Sequence, residues 1–198
     1  GVSSTGALPI HFPVISLGEI FLNPTSMVYR NLMAMCVEEM INAQPMDSVI
    51  LMGGCDKTVP ALLMGAASAN IPAILLVSGP MMTGSYKGER LGACTDCRRF
   101  WSKYRSKEID KDEVDLIEGN LATTAGTCAV MGTASTMALI SETFGMMLPG
   151  TASIPSVHAD RLRASEATGV LAAQMTFNQN PKPAQIISKD SIENALRV

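Results

Sequence analysis

Apolar residues recur at spacings of three and four through SMVYRNLMAMCVEEMINAQ (26–44), and the run halts at Pro45. That spacing predicts a helix with one buried face, entered from Thr25 or Ser26, whose hydroxyls suit an N-cap. Met27, Met33, Met35 and Met40 on this helix read as core filler, because the flexible thioether fills irregular gaps. Cys36 reads the same way. The period then changes. SVILMGG (48–54) and IPAILLVSGP (71–80) are short continuous apolar runs, the mark of parallel strands covered on both faces. Between them CDKTVPALLMGAASAN reads as a loop and then a helix, with Pro60 in the first turn where its missing N–H is harmless. Residues 48–79 are therefore predicted to form a strand–helix–strand unit with parallel pairing and a right-handed crossover.

Outside that unit, Phe12 to Ser16 looks strand-like. Residues 86–107 are basic and residues 108–118 acidic, which predicts two consecutive solvated helices whose charges partly pair. From Thr123 the chain turns small and apolar. A loop ending near Cys128 is expected to lead into a close-packed helix that stops around Gly145, before Pro149-Gly150. A further helix follows from about Ala159, residues 179–185 with two prolines form a connector, and SKDSIENALRV is a capped helical start. No internal repeat or low-complexity segment is visible. The predicted fold class is α/β, a mainly parallel sheet with helices on both faces.

Composition narrows the function. A chain of 198 residues has room for one ordinary domain, and 47% hydrophobic with 17% charged residues suits a globular protein. A net charge of −3 provides no field for nucleic acid or an acidic membrane, so neither is an expected partner. No apolar run approaches the roughly 18–20 residues of a membrane span, and no leader opens the chain; a soluble cytoplasmic protein is expected. The five cysteines, an odd number, read as reduced thiols, some of them metal ligands. The opening residues, without an initiator Met, are expected to be cut from something longer.

Ligands of parallel sheets sit at the carboxyl ends of the strands, and Cys55-Asp56-Lys57 follows the first strand there. A thiolate suits iron–sulfur or zinc and a carboxylate suits magnesium, so these neighbours could serve two different metals. The plainer alternative is that Asp56 caps the next helix and Lys57 neutralises it. Cys128, in a turn before a helix, is a second candidate thiolate, because a helix N-terminus lowers a thiol's pKa; the alternative is a buried inert thiol. Cys94 and Cys97 form a C-x-x-C pair, which can be a redox motif or half a zinc site. A redox motif should follow a strand and open a helix, whereas this pair lies in a basic, Gly-containing insertion, so an incidental surface pair is expected. His11 and His158 are isolated, and His158 is expected to shape the site or pack.

GCDKTVPALLMGAASANIPAILLVSGPM and TAGTCAVMGTASTMALISETFGMMLPGTASIPSVHADR together resemble the two long signature regions of the dihydroxy-acid and phosphogluconate dehydratase family. FPVISLGE resembles its sugar-acid branch, showing Gly-Glu where the branched-chain enzymes usually have Asp-Gly. The resemblance implies a hydro-lyase that removes water from a 2,3-dihydroxy acid, giving a 2-keto-3-deoxy acid. The implied cofactors are a [2Fe–2S] or [4Fe–4S] cluster and Mg²⁺. By the same resemblance Cys55 and Cys128 are cluster ligands, Glu19 and Asp56 are magnesium ligands, and Lys57 is the carboxylated lysine that adds another metal oxygen. Residues 1–198 would then be part of one α/β N-terminal domain. A third cluster cysteine is expected upstream, and a serine base with a further carboxylate in a C-terminal domain beyond Val198. The expected partner is a small sugar acid, and the complete protein is expected to be a homo-oligomer, dimer or tetramer. The competing readings are a non-catalytic zinc or redox module built on Cys55, Cys94, Cys97 and Cys128, or an inert fragment.

Overall fold

The computed structural model describes residues 1–19, 22–177 and 180–198, with Cys94 described in its backbone alone. Two parallel strands, β1 (Val49–Gly53) and β2 (Ala73–Val77), run in register from Val49 opposite Ala73 to Gly53 opposite Val77. Side chains alternate across a strand, so Val49, Leu51, Ala73, Leu75 and Val77 share one face, while Ile50 and Ile74 point to the other. The first face is covered by α1 (Arg30–Asn42) and α2 (Thr58–Ala69) through Val37, Ile41, Val59, Leu62, Leu63 and Ala66. A fully buried Val, Leu or Ile side chain contributes about 1.5–3 kcal/mol. The second face packs on Ala172 and Met175, from a helix spanning Ala159–Met175. Helices thus lie on both faces, but the second is covered only in part: Ile50 and Ile74 are packed there, while Met52, on the same face of β1, is exposed. α1 and α2 approach closely at Gly65, where a Cβ would lie 2.6 Å from the Val37 Cβ and 2.7 Å from the Ala34 carbonyl oxygen.

The sheet is smaller than its expected "mainly parallel" character. The far edge of β2 carries the Leu75 N–H on the Met146 carbonyl at 2.7 Å, and past the end of β2 the chain makes an isolated parallel bridge between Pro80 and Thr127, with no third strand in this sheet among the described residues. Phe12 to Ser16 does not join as a strand. Phe12 and Val14 rest on the core in alternation, yet the segment pairs with no described strand, and Pro13 brings no N–H to a ladder. The methionines also divide differently from the expectation. Met33 is buried, whereas Met35, about 200° further round the helix, and Met27, in the 3₁₀ turn Ser26–Tyr29 that precedes α1, are exposed.

Residues 84–121 form a lobe with its own core of Leu91, Phe100, Val114, Ile117 and Leu121. It comprises a hairpin of β3 (Gly84–Tyr86) and β4 (Glu89–Leu91), then α3 (Ala93–Arg105) and α4 (Lys111–Gly119). The two helices are as predicted, but the hairpin is new. Its turn places Lys87 at φ 48° and Gly88 at φ 82°, the paired left-handed conformation that two-residue hairpin loops need. Lys-Gly is a weaker signal for it than Asn-Gly. The segregated charges pair in part, Lys87 with Glu113 at 2.7 Å, whereas Arg99 pairs within its own segment, with Glu89 at 2.7 Å. The chain enters and leaves the lobe through one neck, where the Met81 N–H donates to the Thr127 carbonyl at 2.9 Å and the Met82 N–H to Thr124 Oγ1 at 2.9 Å.

Beyond the neck, α5 (Thr133–Thr143) begins five residues after Cys128, and α6 is the helix Ala159–Met175 already described. α7 (Pro183–Ile186) occupies part of the expected connector, and α8 (Lys189–Ala195) is capped by Ser188 as its sequence suggests. Residue 179, where that connector was expected to start, lies outside the described residues. Among the described residues no helix is long and apolar enough to cross a membrane.

Candidate functional site

Three segments converge at the carboxyl end of β1. Gly54, the first residue past the strand, has no space for a side chain, since a Cβ would lie 2.2 Å from Ser78 Oγ and 2.8 Å from Thr127 Cγ2. Gly54 and Thr127 immediately precede Cys55 and Cys128, so their contact sets the two cysteine-bearing loops side by side. Thr127 is held there by its N–H on the Gly79 carbonyl at 2.9 Å. The third segment carries Glu19. It is fastened by a 2.6 Å hydrogen bond between the Ser16 and Thr58 hydroxyls and by Leu17, which packs on Met33, Ala34 and Ala61.

These attachments bring Glu19, Asp56 and Lys57 together. Lys57 Nζ lies 3.2 Å from Asp56 Oδ1 and 3.5 Å from Glu19 Oε2. Glu19 Oε2 also accepts from the Ser26 N–H at 3.0 Å and from the Ser26 hydroxyl. The hydroxyls of Ser26 and Thr25, then the Ser26 N–H, hold the Glu19 carboxyl down at about 2. Asp56 Oδ2 accepts from the Thr133 hydroxyl at 2.6 Å, and Oδ1 from the Cys55 thiol at 3.2 Å. Burial works to raise the Asp56 carboxyl, but the bonds from Thr133, Cys55 and Lys57 outweigh it and keep Asp56 below its ordinary value. Burial likewise works to lower Lys57, and the Asp56 hydrogen bond with the charges of Asp56 and Glu19 outweighs it, favouring the ammonium.

Several sequence expectations are refined by this geometry. Asp56 does not cap α2: Lys57 is the N-cap residue, and the Asp56 oxygens go to Thr133, Cys55 and Lys57. Cys128 is not at a helix start, because residues 128–132 are used to turn from the Thr127 bridge into α5. The C-x-x-C pair, by contrast, does follow a strand and open a helix, since β4 ends at Leu91 and α3 starts at Ala93. Cys97 packs on the lobe's core, and the Cys94 side chain lies outside the described residues. His158 caps α6, its Nδ1 accepting from the Asp160 N–H at 3.1 Å, and His11 is exposed. Ser26 and Thr133 are the members that sequence reasoning missed. Each sits at a helix start, where a hydroxyl reads as a cap, and nothing local marks its distant carboxylate.

Among the described residues, no three His, Cys, Asp or Glu side chains converge to complete a metal site by themselves. Two carboxylates on either side of Lys57 nevertheless fit a hard dication that keeps several waters and takes one or two protein carboxylates. Cys55 is exposed and Cys128 half-buried, two thiols on adjoining loops, which fits part of the thiolate set of an iron–sulfur cluster.

The sequence model described as dihydroxy-acid/6-phosphogluconate dehydratase N-terminal matches residues 1–198. The chain is 44% identical over 197 residues to an L-arabinonate dehydratase of Rhizobium leguminosarum bv. trifolii, covering 100% of this chain and 34% of that protein. It is 37% identical over 196 residues to a D-xylonate dehydratase of Caulobacter vibrioides, covering 99% of this chain and 33% of the relative. A 6-deoxy-6-sulfo-D-gluconate dehydratase of Pseudomonas putida is 37% identical over 198 residues, covering 100% and 34%. The chain thus spans about a third of the length of these relatives.

Proposed function

Because this chain belongs to the dihydroxy-acid/6-phosphogluconate dehydratase family, we propose that it supplies part of the active site of a sugar-acid dehydratase. The complete enzyme eliminates water from a 2,3-dihydroxy aldonate to give a 2-keto-3-deoxy acid. The observation that carries this reading is the placement of Lys57 between Glu19 and Asp56, with the Cys55 thiol bonded to the same Asp56. Relatives named for L-arabinonate, D-xylonate and a sulfogluconate support an aldonate as the substrate class.

In this reading Glu19 and Asp56 hold Mg²⁺, a carboxylated Lys57 adds a third oxygen ligand, and Cys55 and Cys128 hold a [2Fe–2S] or [4Fe–4S] cluster. When bound, the magnesium would polarise the substrate carboxylate and 2-hydroxyl, and the iron would serve as Lewis acid for the departing 3-hydroxyl. Lys57 has two charge states with opposite consequences. As an ammonium it neutralises its two carboxylate neighbours. Carboxylation replaces that cation with an anion, so three negative groups then face one another and need a divalent cation between them. Loading with metal and carboxylation of Lys57 are therefore coupled.

Residues 1–198 act here as part of one α/β N-terminal domain. The remaining cluster cysteine, the base for the C2 proton and a further carboxylate come from elsewhere in the complete, cytoplasmic and oligomeric protein. The test is the full-length protein prepared without air and incubated with mixed aldonates. A brown chromophore and 2-keto-3-deoxy acid are expected. A colourless, well-folded, metal-free protein that dehydrates no aldonate overturns the proposal.

A further inference from the structure

We infer that Thr133 is a positioning residue, whose hydroxyl fixes the orientation of the Asp56 carboxylate and ties it to the loop that carries Cys128. The Thr133 hydroxyl donates to Asp56 Oδ2 at 2.6 Å across a separation of 77 residues. The opposite oxygen, Oδ1, is taken by Lys57 at 3.2 Å and by the Cys55 thiol at 3.2 Å. Lys57 and Cys55 are sequence neighbours of Asp56 and would move with it. Thr133 stands on a separate element and supplies an external reference. It is the first residue of α5, a helix anchored in the core by Ala138 and Ser141, with the Thr136 N–H already bonded to the Gly132 carbonyl at 3.0 Å. A donor on a rigid helix holds a carboxylate plane far better than one on a long flexible side chain, because fewer rotatable bonds must be fixed.

The same bond has a second effect. The Cys55 and Cys128 loops already touch at Gly54 and Thr127, upstream of both cysteines. The Asp56–Thr133 bond joins them again, downstream of both. Two attachments that bracket the cysteines set the register of one loop against the other, which one contact alone would leave free to pivot. Hydrogen-bonded partners of metal-binding carboxylates typically change metal affinity or activity by about 10–100-fold when removed.

This inference rests on the reading of Asp56 as a magnesium ligand, and the experiment separates the two. The full-length protein is stripped of metal, and Mg²⁺ binding is measured by titration calorimetry for wild type, Thr133→Val, Thr133→Ala, Thr133→Ser and Asp56→Asn. Thr133→Val keeps the side-chain shape and removes the donor; Thr133→Ala provides the same loss of donor if the valine disturbs the helix start. Both are expected to weaken Mg²⁺ binding about 10–100-fold, with Thr133→Ser close to wild type. A purely structural role for Thr133 predicts lower melting temperatures with unchanged Mg²⁺ affinity, and that result overturns the inference. If Asp56→Asn weakens binding and neither Thr133→Val nor Thr133→Ala does, the positioning role alone is wrong. If Asp56→Asn itself leaves Mg²⁺ affinity unchanged, the magnesium reading of Asp56 fails, and the inference with it.

Discussion

Ser26 grips one oxygen of Glu19 twice, through its backbone N–H at 3.0 Å and through its hydroxyl, and Ser26 is itself completely buried. A flexible glutamate on an irregular segment is thereby held by a rigid helix entry. The grip favours the carboxylate and keeps Glu19 at about 2, below its ordinary 4.5. A carboxyl depressed in the folded state contributes stability above its unfolded value, and that contribution is lost as pH falls through the folded value. The Glu19 contribution is therefore complete above about pH 4.5 and disappears on acidification towards pH 2. Carboxyl titration by NMR is expected to show this low midpoint in the metal-free protein. Ser26→Ala should move it upward, and an unmoved midpoint would mean that Ser26 does not govern Glu19.

The close crossing of α1 over α2 gives a stability prediction independent of any metal. A methyl group at Gly65 would meet the Val37 Cβ at 2.6 Å and the Ala34 carbonyl oxygen at 2.7 Å. Backbone and a β-branched residue cannot swing aside, so the helices must separate. Overpacking of this kind costs about 1–3 kcal/mol, and it outweighs the better helix propensity of alanine, worth about 1 kcal/mol. Gly65→Ala should therefore lower the urea midpoint. A midpoint at or above wild type would refute the close approach.

Much of this architecture is legible in the sequence because period and burial coincide. The apolar run at 71–80 marks a strand buried on both faces, whereas the strand in the run at 48–54 is covered by α2 on one face and only partly by α6 on the other, where Met52 is exposed. Phe12 to Ser16 shows why pattern alone is insufficient. Its alternation is that of a strand, but strand identity also needs a partner, and partners are not written locally. The position of Lys57 against Glu19 depends on the Ser16–Thr58 hydrogen bond, a pairing 42 residues apart that no local pattern encodes. Thr133 is harder still, since a threonine opening a helix has an adequate local explanation as a helix-start residue.

Cys94 and Cys97 provide a direct test between the dehydratase and a four-cysteine zinc module. Cys97 packs on the lobe's own core beside Phe100 and Trp101, while Cys55 emerges at the end of β1. Replacing both Cys94 and Cys97 with Ser should leave the iron content and Mg²⁺ affinity of the full-length protein unchanged. Stoichiometric zinc in the wild type that vanishes in this double variant would instead favour the zinc module.

Lys57 and Cys128 should separate the two proposed metal functions. Lys57 contacts the carboxylates of Glu19 and Asp56, so its proposed role belongs to magnesium. Lys57→Ala in the full-length enzyme removes both the ammonium that neutralises the apo site and the carbamate that would complete the loaded one. Turnover is expected to be abolished while the visible cluster absorbance persists. Cys128→Ser acts on the adjoining loop and replaces a soft thiolate with a hard, weakly acidic hydroxyl, a poor iron ligand at neutral pH. Its cluster absorbance should bleach first, while Mg²⁺ affinity remains within a few-fold of wild type because neither Glu19 nor Asp56 has been altered. Absorption spectra, iron analysis and Mg²⁺ titration on the same anaerobic preparations distinguish the cases. If Lys57→Ala retains near-normal rates at low magnesium, the lysine is not a metal-site residue and serves only to neutralise its neighbours. If Cys128→Ser keeps a full complement of iron, the second thiolate must come from another cysteine.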